Sequence, residues 1–242
     1  MANFGLIGKN IAYSFSQKYF TEKFKKEKLA HSYHNFDLET LAVFKKIVNE
    51  TSLKGLNVTI PYKEKIMPYL DYIDRQAQII GAVNTIKFLE DGVLVGYNTD
   101  HYGFSRSLAN FPIPKSKTAL ILGNGGASKA IKYALESLNF RYTTVSRNKT
   151  KDTITYEQVT KQVLEKHTLI VNTTPLGVAP DVLKCPNIPY EHITKEHFLF
   201  DLIYNPHQTT FLKHGLTKGA TIANGSKMLE YQAQKAWSIW NS

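Results

Sequence analysis

Several things are scarce in this chain of 242 residues. It has one cysteine, Cys185. No internal disulfide can therefore form, which fits a reducing compartment. No apolar run approaches the roughly 20 residues that a membrane-spanning helix needs. The opening MANFGLIGKN has no basic stretch ahead of its short apolar start, and Lys9 interrupts it. It reads as a strand rather than a secretory signal, so a cytoplasmic location and no membrane partner are expected. Internal repeats and low-complexity segments are missing too. The eight histidines are dispersed, and the close pair His31 and His34 lacks further ligands at suitable spacing. No metal site is expected. A Gly-x-Ser-x-Gly motif is also missing, which removes the commonest hydrolase signature.

Acidic side chains are the scarcer sign, with 20 Asp and Glu against 30 Lys and Arg, a net charge of +10. Such an excess attracts nucleic acid, anionic lipid or small anions. Here the lysines are scattered. The densest cluster, Glu22 to Lys28 (EKFKKEK), includes glutamates at helical spacing and reads as a solvated helix face. With no aromatic or fold signature of a nucleic-acid module, the expected partner is a small molecule and not nucleic acid.

What is present is an alternation of strand and helix patterns, the mark of α/β architecture. NFGLIG, SYHNFDL and LKGLNVTI read as strands, and FSQKYFTEKFKKEK and LETLAVFKKIV as helices. Pro61 suggests a helix start, which would put Lys63 in a first helical turn, where a cation is locally disfavoured. The next segment reads as helical around Pro68. NTIKFLEDGVLVGYNTD then reads as a hairpin around a two-residue Asp91-Gly92 turn, a register that sets Asn84 opposite Thr99 and beside Asp100. FPIPKSK (Phe111 to Lys117) reads as a boundary, giving a first domain of residues 1–101 with 226–242 and a second of 102–225. The final helix, SKMLEYQAQKAWSIW, has an apolar stripe of Leu229, Ala233, Ala236, Trp237 and Trp240, with Gln232 on its edge.

After the boundary, ALILGNGGAS reads as strand, glycine-rich turn and helix. Gly123 and Gly125 hold the first two positions of a dinucleotide fingerprint and Ser128 the third. The helix N-terminus behind them would face a pyrophosphate. The following strand, RYTTVSRNKTK, lacks the acidic residue that accepts from an NAD ribose. It offers Ser146, Arg147, Asn148 and Lys149 instead, and a guanidinium suits a 2′-phosphate, so NADP(H) is the expected cofactor. LIVNTTPLG and FLFDLIYNP are further buried strands whose terminal loops are expected near that cofactor.

Spaced along nearly the whole chain, IAYSFS, GLNVTIPYK, IGAVNTI, GYNTDHYGF, LGNGGASKA, VSRN, NTTPLG, DLIYNPHQTTFL and MLEYQA together resemble the shikimate dehydrogenase family. That resemblance implies an N-terminal α/β substrate domain, a Rossmann-type NADP domain and a last helix that returns to the first domain. It also implies reversible NADPH-dependent reduction of 3-dehydroshikimate to shikimate, in chorismate and aromatic amino-acid biosynthesis, by a monomer or homodimer. By resemblance Lys63 and Asp100 are the catalytic pair, Ser14 and Ser16 take the substrate carboxylate, and Thr59, Asn84, Gln232 and Tyr204 hold ring hydroxyls. Gly123, Gly125, Gly126, Ala127 and Ser128 match the phosphate loop. Ser146, Arg147 and Asn148 match the adenosine-phosphate loop, and Thr173, Gly225 and Met228 lie near the cofactor. The chain departs from the family pattern at Asn10 and Gln17, where proline is usual, at Tyr13, where histidine is usual, and at Asn124 and Ser146. A relative acting on quinate or another cyclic polyol acid, and a non-catalytic regulator binding the same metabolite, are the competing expectations.

Overall fold

The structure, a computed structural model, describes residues 2–12, 14–112 and 116–242. Tyr13 and the middle of FPIPKSK lie outside the described residues. The chain divides into two compact units, Met1–Tyr102 with Leu229–Ser242, and Gly103–Met228.

In the first unit, β1 (Ala2–Gly8), β2 (His31–Asp37) and β3 (Leu53–Val58) run parallel, with β1 in the centre. The last five residues of β1 are buried, as in a strand covered on both faces. Helix α1 (Phe15–Lys26) starts at Ser14, whose side chain accepts from the Ser16 and Gln17 amides, and ends on Lys23, Lys25 and Lys26, which suit its negative C-terminal dipole. Phe20 and Phe24, one turn apart, are its buried face, and Phe20 stacks on Tyr33 of β2 at 4.8 Å. Helix α2 (Phe44–Glu50) buries Phe44 in a second cluster with Ile7, Leu56, Val58 and Ile66.

The sheet continues through β4 (Tyr72–Ile73), helix α3 (Arg75–Ile80) and the hairpin β5 (Thr85–Phe88) and β6 (Leu94–Tyr97), in strand order β2-β1-β3-β5-β6-β4. Helix α4 (Asp100–Leu108) follows. The C-terminal helix, Ser226–Trp240, adds Ala233, Ala236 and Trp240 to the cluster built on Phe4, Phe20 and Phe24. Trp240 Nε1 donates to the Ile86 carbonyl at 3.0 Å. The indole crosses β3 at Gly55, where a Cβ would stand 2.2 Å from Nε1. A glycine is therefore required there by packing.

Two sequence expectations need correction. The hairpin pairs Thr85 with Tyr97 and Phe88 with Leu94, one residue away from the predicted register. Its loop has three residues, Glu90 to Gly92, because Gly92 N–H closes a turn on Leu89 O and then adopts φ +83. A three-residue loop that ends on a left-handed glycine competes with the two-residue turn that Asp-Gly suggests. The second correction concerns Pro61, which starts no α-helix. The Ile60–Pro61 bond is cis, Tyr62 N–H closes on Thr59 O, and residues 62–69 run through successive turns with a short 3₁₀ stretch, Met67–Tyr69. Lys63 sits in those turns, and the segment around Pro68 is likewise no α-helix.

The second unit is a parallel six-stranded sheet. Its strands are β7 (Thr118–Leu122), β8 (Arg141–Val145), β9 (Thr153–Ile154), β10 (Leu169–Asn172), β11 (Phe198–Asp201) and β12 (Thr221–Ala223). Helix α5 (Gly126–Ser137) follows β7, α6 (Lys161–Lys166) precedes β10, and α7 (Thr210–Thr217) precedes β12. The order β12-β11-β10-β7-β8-β9 is the doubly wound dinucleotide arrangement, with its switch point at β7 and β10. All five residues of β7 are buried, and α5 packs Ala130, Ile131, Ala134 and Leu135 inward at helical spacing. Among the described residues no helix is long and apolar enough to cross a membrane.

Candidate active site

In the first unit the Lys63 ammonium donates to Asp100 Oδ2 at 2.7 Å, with the side chains 18% and 6% exposed. Two elements fix this pair. The Lys63 carbonyl accepts from Val83 N–H at 2.8 Å, which ties the turn to the entrance of β5. Asp100 opens α4, where the helix N-terminus favours a carboxylate. Asn98 Oδ1 accepts from the Asp100 amide at 3.0 Å, and Asn98 Nδ2 donates to Ala82 O at 2.9 Å. His101 is the next residue, and burial pushes its imidazole pKa down. A lowered pKa favours its neutral imidazole.

At the open end of the hairpin, Asn84 Oδ1 accepts from Thr99 N–H at 2.7 Å and Asn84 Nδ2 donates to Thr99 Oγ1 at 3.0 Å. The two meet beyond the last strand pair, so the one-residue register difference leaves this contact in place. Asn84 Nδ2 also reaches Gln232 Oε1 on the C-terminal helix at 3.4 Å. Thr59 follows β3, its amide donating to Ile7 O at 2.9 Å.

Ser14 and Ser16 stand at the start of α1. Ser14 Oγ accepts from the amide of Ser16 at 3.1 Å, which uses the oxygen lone pairs and leaves its O–H to donate. On β2, Tyr33 OH donates to Asn57 Oδ1 at 2.7 Å. Asn57 Nδ2 points to Asn84 O at 3.4 Å and Thr85 Oγ1 at 3.3 Å. A polar line thus joins Tyr33 to Asn84. The sequence reading missed Tyr33 and Asn57. A polar Asn57 inside the apolar LKGLNV strand was the available signal.

In the second unit Gly123 turns at φ +109, and a Cβ there would lie 2.7 Å from Thr173 Oγ1. Thr173 itself donates to Leu122 O at 2.9 Å. Gly125 is different. Its backbone is extended, and a Cβ would meet nothing within 4 Å. Neither conformation nor protein packing asks for glycine at 125, which leaves open space beside the α5 N-terminus. Among the described residues no side chain caps that terminus, so Gly126 and Ala127 present it bare. Ser128 is fully buried and donates back to Gly125 O at 2.7 Å, bracing the turn from behind. Ser146 Oγ closes the loop after β8 by donating to Asn148 O at 2.8 Å, with Arg147 exposed between them. This set suits a phosphorylated dinucleotide: bare amides for a pyrophosphate and a guanidinium at the end of β8 for a further phosphate.

At the ends of β10 and β11, buried Asp201 accepts from Asn172 Nδ2 at 3.0 Å, Ile203 N–H at 3.1 Å and Thr209 Oγ1 at 2.6 Å. Burial outweighs these three donors and pushes its pKa up to about 6. Tyr204 lies in the loop after β11. Gly225 N–H donates to Ile203 O at 3.0 Å, in a contact so close that a Cβ would stand 2.0 Å from Leu202 O. Met228 is buried in this unit's core. Among the described residues no group of three or more His, Cys, Asp or Glu could hold a metal ion.

Residues 6–86 match the family described as the shikimate dehydrogenase substrate binding domain. A Clostridium botulinum protein named shikimate dehydrogenase (NADP(+)) is 41% identical, covering 98% of this chain and 95% of its own length. The chain belongs to the shikimate dehydrogenase family. Among solved members of that family, the Aquifex aeolicus enzyme matches with a TM-score of 0.90 at 34% identity, covering 100% of this chain and 92% of that one. The Thermus thermophilus enzyme, solved with NADP(H) and shikimate, matches with a TM-score of 0.87 at 29% identity, covering 99% and 93%.

Proposed function

We propose that this chain is an NADP-dependent oxidoreductase that reversibly reduces 3-dehydroshikimate to shikimate, a step toward chorismate and the aromatic amino acids. In this reading the first unit is the substrate domain and the second holds the dinucleotide. The observation that carries it is the Lys63–Asp100 pair, a lysine held at 2.7 Å by a buried carboxylate beside a cluster of neutral polar side chains.

Reducing a ketone needs a hydride at carbon and a proton at oxygen. NADPH, when bound, supplies the hydride. Lys63 has three N–H donors. One is engaged by Asp100, and the others remain to polarise the carbonyl and to deliver its proton. Asp100 fixes the ammonium's position. Asn84, Gln232 and Thr59 offer both donors and acceptors, the chemistry that ring hydroxyls require. Ser14 and Ser16, at the positive end of α1, offer O–H donors to a carboxylate. Gly125, Gly126 and Ala127 would hold the pyrophosphate, and Arg147, with Ser146 and Asn148 shaping its loop, the 2′-phosphate. Thr173, Gly225 and Met228 complete the cofactor side.

The test is NADPH oxidation with 3-dehydroshikimate. Wild-type protein is expected to turn over, and Lys63→Ala to lower kcat by about 10²- to 10⁴-fold, the usual worth of a positioned proton donor. Folded wild-type protein that binds both ligands without turnover would overturn the assignment.

A further inference from the structure

β2 presents Asn35 and Asp37 two residues apart, on one face of the strand. Both side chains are spent on the segment 10–17, which leads into α1 and contains Ser14 and Ser16. Asp37 Oδ1 accepts from Asn10 N–H at 2.9 Å, and Oδ2 from Ile11 N–H at 3.1 Å. Asn35 Nδ2 donates twice, to the Ile11 carbonyl at 3.1 Å and to Gln17 Oε1 at 2.9 Å. One amide nitrogen therefore grips the segment on both sides of the serines.

The orientation of this clamp is forced. A backbone carbonyl only accepts, so the Ile11 carbonyl requires Nδ2 of Asn35 to face it. The same nitrogen then requires the oxygen of Gln17. The consequence is visible on the other atom: Asn35 Oδ1 is buried and has no hydrogen-bond partner among the described residues. A buried acceptor left unpaired is destabilising. An apolar residue at 35 would avoid that penalty but would leave the Ile11 carbonyl and Gln17 Oε1 without this donor. Gln17, third residue of α1, is placed where a glutamine commonly reaches back to the cap's own amide. Here it reaches across to β2 instead.

We propose that Asn35, acting through Ile11 and Gln17, is a positioning residue for the substrate carboxylate, setting where the hydroxyls of Ser14 and Ser16 stand. This rests on the reading that those two serines bind that carboxylate. Asn10 and Gln17 are also two of the positions at which the chain departs from the family pattern. In this chain, hydrogen bonds from β2 take hold at both.

Steady-state kinetics of the full chain with shikimate and NADP separate the possibilities. Asn35→Ala is expected to raise KM for shikimate about fivefold to tenfold, the size of one hydrogen bond, with kcat and KM for NADP unchanged. Gln17→Met, which keeps length and removes the acceptor, is expected to raise KM for shikimate in the same way, and it remains informative if Asn35→Ala folds poorly. The double variant is expected to be no worse than Asn35→Ala alone, because both remove one clamp. Ser14→Ala and Ser16→Ala serve as the control for the underlying reading. If they raise KM for shikimate while the Asn35 and Gln17 variants do not, the clamp is overturned and the serine assignment stands. If the serine variants leave KM unchanged, the serine assignment itself fails, and the clamp with it. Additive effects in the double variant would also overturn the clamp.

Discussion

Asp201 illustrates how one buried group ties pH to stability. Its pKa of about 6 lies above the value near 3.9 that a carboxyl has in an unfolded chain. The folded state therefore holds the proton more tightly. The stability this contributes is complete below about pH 4 and is lost as pH rises through 6, a decline of about 3 kcal/mol from this residue. Asp201→Asn removes the titration. Its amide oxygen can still accept from Asn172 and Ile203, and its nitrogen faces Thr209 Oγ1. Urea unfolding of both proteins from pH 4 to pH 8 is expected to show a gap that moves in favour of the asparagine variant as pH rises. A gap independent of pH would mean that the carboxyl stays ionised throughout.

At the scale of elements, the C-terminal helix depends on one glycine of a distant strand. Gly55→Ala would drive a methyl into the Trp240 indole and strain its bond to Ile86 O. Overpacking of this kind costs about 1–3 kcal/mol, and a lower urea midpoint at unchanged slope is the expected sign. How far elements were legible in the sequence follows from how local their causes are. The α5 helix and the Gly123 turn were legible because strand, glycine turn and helical periodicity are adjacent. The hairpin was legible as a hairpin, but its register turned on whether Glu90 joined the loop, a choice between two turns of similar quality. The stretch after Pro61 was misread because a proline that starts a helix and a proline that closes a turn look alike in sequence. At the site, the meeting of Asn84 with Thr99 could be anticipated. The line through Tyr33 and Asn57 could not, since it joins three strands at side-chain level. Nor could the pairing of Asn35 with Gln17.

For the whole molecule, both tryptophans, Trp237 and Trp240, belong to the aromatic cluster of the first unit, against Phe4 and Phe20, and Gly103–Met228 holds none. Tryptophan emission is therefore expected to report the first unit alone, while far-UV circular dichroism reports helices of both. Comparing the two signals along one urea titration tests this. Loss of most emission change in a Trp237→Phe/Trp240→Phe variant, with the dichroism curve retained, is the control.

The first unit is also discontinuous in sequence. Its core needs Ala233, Ala236 and Trp240, while the second unit is one uninterrupted stretch from Gly103 to Met228. During synthesis the chain emerges at about 5–20 residues per second. The half made first must wait, on the order of ten seconds, for the helix that closes it. Over that interval the apolar faces of α1 and β1 stand uncovered at the ribosome, and the half begun second has every residue it needs to finish folding first.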